Sequence, residues 1–166
     1  MLLWKGIGRF VSRNPQYRIL FGPVSIANDY QPLSKKLMVH YLRKANQRTE
    51  LVRLVKPRNP LRKRSADEKE MKASSEFFKD IKRVSEMISE IEDDQKGIPI
   101  LLKHYVNLGA QCLGFSVDRN FSNVVDALVV VDLVQTDPKL MERYMGKEES
   151  TRFFTYHQDK TLAKSA

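Results

Sequence analysis

The sequence contains one cysteine, Cys112, so no internal disulfide can staple the chain, and a lone thiol fits a reducing compartment. Glycine and proline are sparse, at seven residues each among 166, which excludes collagen-like and low-complexity classes. No apolar run approaches the roughly 20 residues that cross a bilayer. Met1-Leu2-Leu3-Trp4-Lys5 is too short for the apolar core of a secretory signal. The expectation is a cytoplasmic protein, at most peripheral on the inner membrane face. Acids are scarce at the front, where only Asp29 and Glu50 occur in residues 1–64.

What is present suffices for one sizeable core. Apolar residues make up 42% and charged residues 30%, so a single domain over 1–166 is expected. The net charge of +9 is unevenly spread, because residues 1–64 hold fifteen Lys/Arg against two acids, a balance of +13, and the remainder stands at −4. Such a field draws an anionic partner to the N-terminal part. Nucleic acid, an anionic membrane and an acidic carrier protein all answer it, since long-range attraction is not chemically selective.

Hydropathy steps predict the elements. Leu3, Trp4, Ile7, Phe10 and Val11 recur at three- and four-residue steps, giving a helix over 2–12 that Asn14-Pro15 stops. No N-cap residue precedes it, a sign of a chain that begins mid-element. Arg18 to Ile26 reads as a strand, and Pro23, which cannot donate to a ladder, requires it to be unpaired on one side. Pro32 opens a helix with Leu33, Leu37, Tyr41 and Ala45 inward and Met38 and Leu42 beside them. Residues 43–64 are basic and proline-punctuated, a surface loop. Ser65 caps a long helical insertion over 65–95, with Asp67, Glu68 and Glu70 in its first turn and the stripe Phe77, Ile81, Val84, Ile88, Ile91.

A short helix follows Ile98-Pro99 and ends at Gly109. Strands occupy 110–117 and 124–134, and the second is apolar enough to have both faces covered, which makes it central. Asp137-Pro138 starts a helix that stops at Gly146, followed by a short turn around Phe153 and a frayed tail at 160–166. The fold class is therefore mixed α/β, with a small mixed sheet of about three strands and helices on both faces.

Chemistry-bearing constellations are few. His40, His104 and His157 are far apart in sequence and Cys112 has no nearby ligand partner, so no metal is expected. No G-x-S-x-G elbow occurs. Asp126 and Asp132 share one strand face by parity, and each is read as capping a turn or meeting an arginine. Gly6-Ile7-Gly8 admits two readings, a cradle of amides for a phosphate or a helix face kept small for close packing, and the second is preferred. At Gly22-Pro23-Val24-Ser25 a strand held away from a neighbour would leave backbone groups for an amide-containing ligand, against a plain proline at a sheet edge.

Several segments carry a family resemblance. Leu3-Trp4-Lys5-Gly6-Ile7-Gly8-Arg9-Phe10-Val11, Asn14-Pro15-Gln16-Tyr17-Arg18 and Leu20-Phe21-Gly22-Pro23-Val24-Ser25-Ile26 resemble the hemolysin-like N-acyltransferases of the GNAT superfamily. So do Gly109, Asp118-Arg119-Asn120-Phe121-Ser122-Asn123, Val129-Val130-Val131-Asp132-Leu133 and Arg143-Tyr144-Met145-Gly146. The resemblance implies transfer of a 3-hydroxy fatty acyl group from acyl carrier protein, or from acyl-CoA, to an amino-acid amine, as in ornithine- and glycine-lipid synthesis. GNAT folds splay their fourth and fifth strands and insert the donor's pantetheine arm between them, and residues 18–26 would be the fifth strand. Gly6-x-Gly8 echoes the superfamily's phosphate loop, with Leu3 standing where that loop has Gln or Arg. The family's four N-terminal strands have no counterpart here, so a C-terminal portion of the domain is expected, partnered by a missing N-terminal half or a fused acyltransferase domain.

The resemblance makes Gly22, Pro23, Val24, Ser25, Gly6 and Gly8 the acyl-donor residues. Arg9, Arg13, Lys35, Lys36 and Arg43 would dock an acidic carrier protein or an anionic membrane. No cofactor is expected to be held, the donor thioester being a substrate. The rival from another class is a nucleic-acid-binding module, supported by Arg58 to Arg64 but lacking interleaved exposed aromatics. A scaffold fragment without catalysis is the third reading.

Overall fold

The computed structural model describes residues 2–44, 50–61 and 80–165, with side chains over 3–44, 50–61 and 80–159. The fold is mixed α/β, as the hydropathy pattern predicts, although the three-stranded sheet is antiparallel rather than mixed. Among the described residues the three strands are β1 (Ile19–Ile26), β2 (Gln111–Asp118) and β3 (Val124–Asp132), in the order β1-β3-β2. The apolar run of β3 takes the central place for the reason expected, because a strand paired on both sides and covered on both faces has no use for polar side chains. β2 and β3 pair antiparallel from Gln111↔Val130 to Asp118↔Val124, with an irregularity between Cys112 and Gly114. Their turn is built by the Asp118 carboxylate, which accepts from the N–H groups of Asn120 and Phe121 at 2.8 and 3.1 Å.

The chain divides into two compact units, residues 21–130 and residues 1–20 with 131–166. The larger one holds the main core. Val24, Ile26, Cys112, Phe115, Val125, Ala127 and Val129 share one sheet face and pack with α2 (Pro32–Lys44), α3 (Ile81–Ile91) and α4 (Ile100–Asn107). On α2 the buried residues are Ser34, Leu37, Met38, Val39, Tyr41 and Leu42, whereas Leu33, expected inward, is 53% exposed. It lies in the first turn, ahead of the buried stripe. Ala45 lies outside the described residues.

The insertion differs from the expectation at its start. Asp80 takes an extended conformation and its side chain accepts from the Lys82 N–H at 2.8 Å, so α3 is capped afresh there rather than running unbroken from Ser65. Ser65, Asp67, Glu68, Glu70 and Phe77 lie outside the described residues. Val84 and Ile88 are fully buried, and Ile81 and Ile91 pack against the core. The helix ends at Ile91, with Glu92 as its C-cap, rather than running to 95. Glu92 is buried because the Gln31 N–H donates to it at 2.9 Å, and Lys96 reaches Asp29 at 3.0 Å while lying over the Tyr30 ring. These contacts tie the β1–α2 turn to the α3–α4 turn.

The basic segment is not wholly a surface loop. A 3-10 turn at Glu50–Leu54 is exposed, but Asn59 then lies along β2, its carbonyl accepting from Val117 at 2.8 Å and its side-chain amide donating to the Val117 carbonyl at 3.1 Å. Residues 59 and 60 thereby pair along the outer edge of β2 at Ser116 and Val117.

The smaller unit contains α1 (Leu2–Arg13), α5 (Pro138–Met145) and α6 (Lys147–Ser165). Trp4, Val11, Leu133, Met141 and Phe153 are buried in it. Asp137 caps α5 through the Lys139 N–H at 2.7 Å, as its sequence predicts. Gly146 has φ +97°, a value that side-chain-bearing residues rarely adopt, and it redirects the chain between α5 and α6. The short turn expected around Phe153 is instead a 19-residue helix that continues through the expected frayed tail to Ser165. Glu148 and Glu149 in its first turn complement the helix dipole, and burial of Phe153 anchors it.

Candidate functional site

β1 forms one edge of the sheet, and among the described residues no backbone hydrogen bond reaches its outer side. Two contacts define its register against β3. The Leu133 N–H donates to the Arg18 carbonyl at 3.0 Å, and seven residues along β1 the Ser25 hydroxyl donates to Asp126 Oδ1 at 2.6 Å. Both belong to the same antiparallel alignment. In such a pair alternate residues bond to the neighbour, so Arg18 and its parity mates Leu20, Gly22, Val24 and Ile26 turn their backbone groups to β3. Ile19, Phe21, Pro23 and Ser25 turn theirs outward.

Pro23 therefore has its missing N–H on the outer side, where the ladder loses nothing. The strand does not part from β3 at the Gly22-Pro23 step; it is an edge strand throughout, neither helix nor an interior strand laddered on both sides. Side chains alternate to match. Val24 and Ile26 are buried, and Pro23 and Ser25 are exposed. A Cβ at Gly22 would meet no heavy atom within 4 Å, so open space adjoins this step.

The expected site residues divide accordingly. Gly22, Pro23, Val24 and Ser25 form one continuous stretch, with Ser25 presenting an outward amide and Val24 an inward one. Gly6 and Gly8 lie inside α1, where their N–H groups belong to the helix ladder, so they offer no cradle of amides. Gly8 serves packing: a Cβ there would lie 2.6 Å from the Tyr144 carbonyl oxygen. Gly6 faces open space. Of the docking residues, Arg9, Arg13 and Lys36 are exposed, Lys35 Nζ lies 3.4 Å from Asn28 Oδ1, and the Arg43 guanidinium stacks 5.4 Å from the centre of the Phe115 ring. Arg9 and Arg13 belong to one unit and the other three to the second. Arg62, Lys63 and Arg64 lie outside the described residues.

Asp126, read from the sequence as capping a turn or meeting an arginine, instead accepts from the Ser25 hydroxyl. Its partner Ser25 is 101 positions away, and only strand pairing brings the two together. Asp132 meets Arg18, as expected of a carboxylate bounding a strand. Cys112 is buried, its thiol pushed up to about 11 by desolvation, with the Gly114 carbonyl contact and Arg43 opposing. That makes it an inert core thiol rather than a nucleophile. Among the described residues no three His, Cys, Asp or Glu side chains are grouped to hold a metal ion, and no helix is long and apolar enough to cross a membrane.

Comparisons of the chain with protein-family models, with curated proteins and with solved structures gave no match.

Proposed function

We propose that this chain is an N-acyltransferase-type protein of lipid synthesis, in which the outer edge of β1 receives the pantetheine arm of an acyl carrier protein thioester. The observation that carries the reading is the edge position of the Gly22 to Ser25 stretch, with Pro23's absent donor on the outer side and open space beside Gly22. Pantetheine contains two amides, and an extended chain bearing amides adds to a sheet edge by main-chain hydrogen bonds. The Ser25 N–H and the carbonyls of Phe21 and Pro23 are the groups presented to it. The resemblance of residues 3–11, 14–18, 20–26, 118–123, 129–133 and 143–146 supports the same reading.

In the reaction the neutral amine of an amino acid attacks the thioester carbonyl, a C–N bond forms, the C–S bond breaks and the thiol departs. Positioning and oxyanion stabilisation are the catalytic demands. The basic N-terminal part favours an acidic carrier, and the protein works in the cytoplasm beside the inner membrane face.

The test is titration of the chain with acyl carrier protein thioester. Ser25→Ala removes the hydroxyl and keeps the outward N–H, so binding stays within about threefold. Ser25→Pro removes that N–H without touching the β3 ladder and weakens binding about tenfold, the worth of one well-made hydrogen bond. Absence of binding by the unaltered chain, or equal binding by the Ser25→Pro variant, overturns the proposal.

A further inference from the structure

The outward face of α1 combines two features that a protein surface rarely places together. Leu3 is 68% exposed, Phe10 56%, Tyr17 51% and Ile19 46%, although Trp4, Gly8 and Val11 on the same helix are buried. Phe10 and Tyr17 stack with ring centres 5.7 Å apart, forming one aromatic surface. Lys5, Arg9 and Arg13 are all exposed and recur at four-residue spacing, so they form a basic stripe about a quarter turn round the helix from Leu3 and Phe10. No acidic residue occurs before Asp29. Arg18, the remaining cation of this stretch, is taken by Asp132.

We propose that this face of α1, with Tyr17 and Ile19, seats on an anionic lipid bilayer. A purely electrostatic partner would satisfy the cations and leave Leu3, Phe10 and Ile19 in water, whereas a bilayer interface satisfies both. Its headgroups neutralise the basic stripe and its acyl boundary takes up the apolar one. Leu3 and Ile19 have no π-face with which to stack on bases, which disfavours a nucleic acid. Tyr17 suits the boundary itself, having an apolar ring and a polar hydroxyl. The helix lies flat in the interface, because its 12 residues are too few to span. The inference shares with the proposed function only the location beside a membrane; lipid binding needs no acyl donor, so its failure leaves the transferase reading to its own test.

The test is co-sedimentation of the full chain with phosphatidylcholine vesicles, with and without phosphatidylglycerol. Binding is expected only where phosphatidylglycerol is present, and added salt weakens it. Arg9→Gln with Arg13→Gln lowers the partition coefficient roughly 30-fold, at about 1 kcal/mol per surface cation. Phe10→Ser lowers it roughly tenfold through loss of buried apolar area. The control pair Arg53→Gln with Arg58→Gln removes the same charge from an exposed loop and changes binding less than about threefold.

Several results overturn the proposal: no binding to anionic vesicles, equal binding to neutral ones, or a control pair as damaging as Arg9 and Arg13. So does a dimer of the unaltered chain that Phe10→Ser converts to monomer, or loss of carrier-protein binding in that variant with vesicle binding intact. In those cases the apolar stripe is covered by protein.

Discussion

Arg18 and Asp132 form a two-point ion pair, with Arg18 Nε donating to Asp132 Oδ1 at 2.6 Å and Nη2 donating to Oδ2. The same carboxylate accepts from the Val134 N–H at 3.2 Å and from the Gln135 amide at 3.1 Å, so it also closes the turn that leaves β3. Burial acts to raise the Asp132 carboxyl, but the hydrogen bond and charge of Arg18 outweigh it and hold the group below the usual carboxylate range.

A pH dependence follows from that pair. A folded pKa below the unfolded one means stabilisation that is complete above the ordinary carboxylate value near 4 and is lost as pH falls through the folded value. Arg18→Gln is expected to cost about 1–2 kcal/mol at pH 7, toward the low end because the arginine is 42% exposed, and less near pH 2, where Asp132 is moving toward its neutral form. Urea unfolding at the two pH values measures this. An equal cost at both would show that packing, not charge, is lost.

The two glycines of α1 should respond oppositely to alanine. Gly8→Ala drives a Cβ against the Tyr144 backbone, at 2.6 Å from its oxygen and 2.9 Å from its carbon, and neither atom can swing aside. About 1–3 kcal/mol of stability is lost. Gly6→Ala meets open space and stabilises the helix by about 0.5–1 kcal/mol. Thermal unfolding of both variants decides the matter, and similar effects would remove the close contact between α1 and α5.

Cys112 should be silent toward thiol reagents in the folded chain. With its thiol raised to about 11, labelling at pH 8 is expected to be at least about a hundredfold slower than in urea, where the value returns to the ordinary range near 8.5. A folded value above the unfolded one stabilises fully below about pH 8.5, and that contribution fades as pH rises through about 11. Rapid labelling of the native protein would place the thiol at the surface.

Pro23 protects an edge. Pro23→Ala restores an outward N–H to a strand that no described residue covers, so stability should change by less than about 1 kcal/mol while self-association increases. Light scattering over a concentration series reads the second effect. Unchanged association together with a large loss of stability would mean that Pro23 faces β3.

Much of this architecture was legible because its causes are local. The three- and four-residue steps of Trp4, Val11, Val84 and Ile88, the Asp137-Pro138 start and the Gly109 stop each act within a turn or two. The expectation failed where a local signal had a stronger competitor. Asp80 re-caps a helix that the apolar stripe alone would have extended back past it, and the apolar spacing around Phe153 gave no sign of the 19 helical residues that Gly146 releases. The candidate site was half visible. Pro23 announced a strand with one bare side, but Asp126 could not be joined to Ser25 from spacing, since residues 101 apart meet only through strand register.

Composition and periodicity by themselves determined most of the element types, the central place of β3 and the basic, acid-poor front, because these depend on neighbours in the chain. Which edge stays bare, that Asn59 rather than a strand covers β2, that Gly8 is small for Tyr144 and that Arg43 rests on Phe115 were decided by tertiary structure alone. Each is a meeting of residues distant in sequence, settled by which surfaces pack and which backbone groups find partners, and no local pattern encodes that competition.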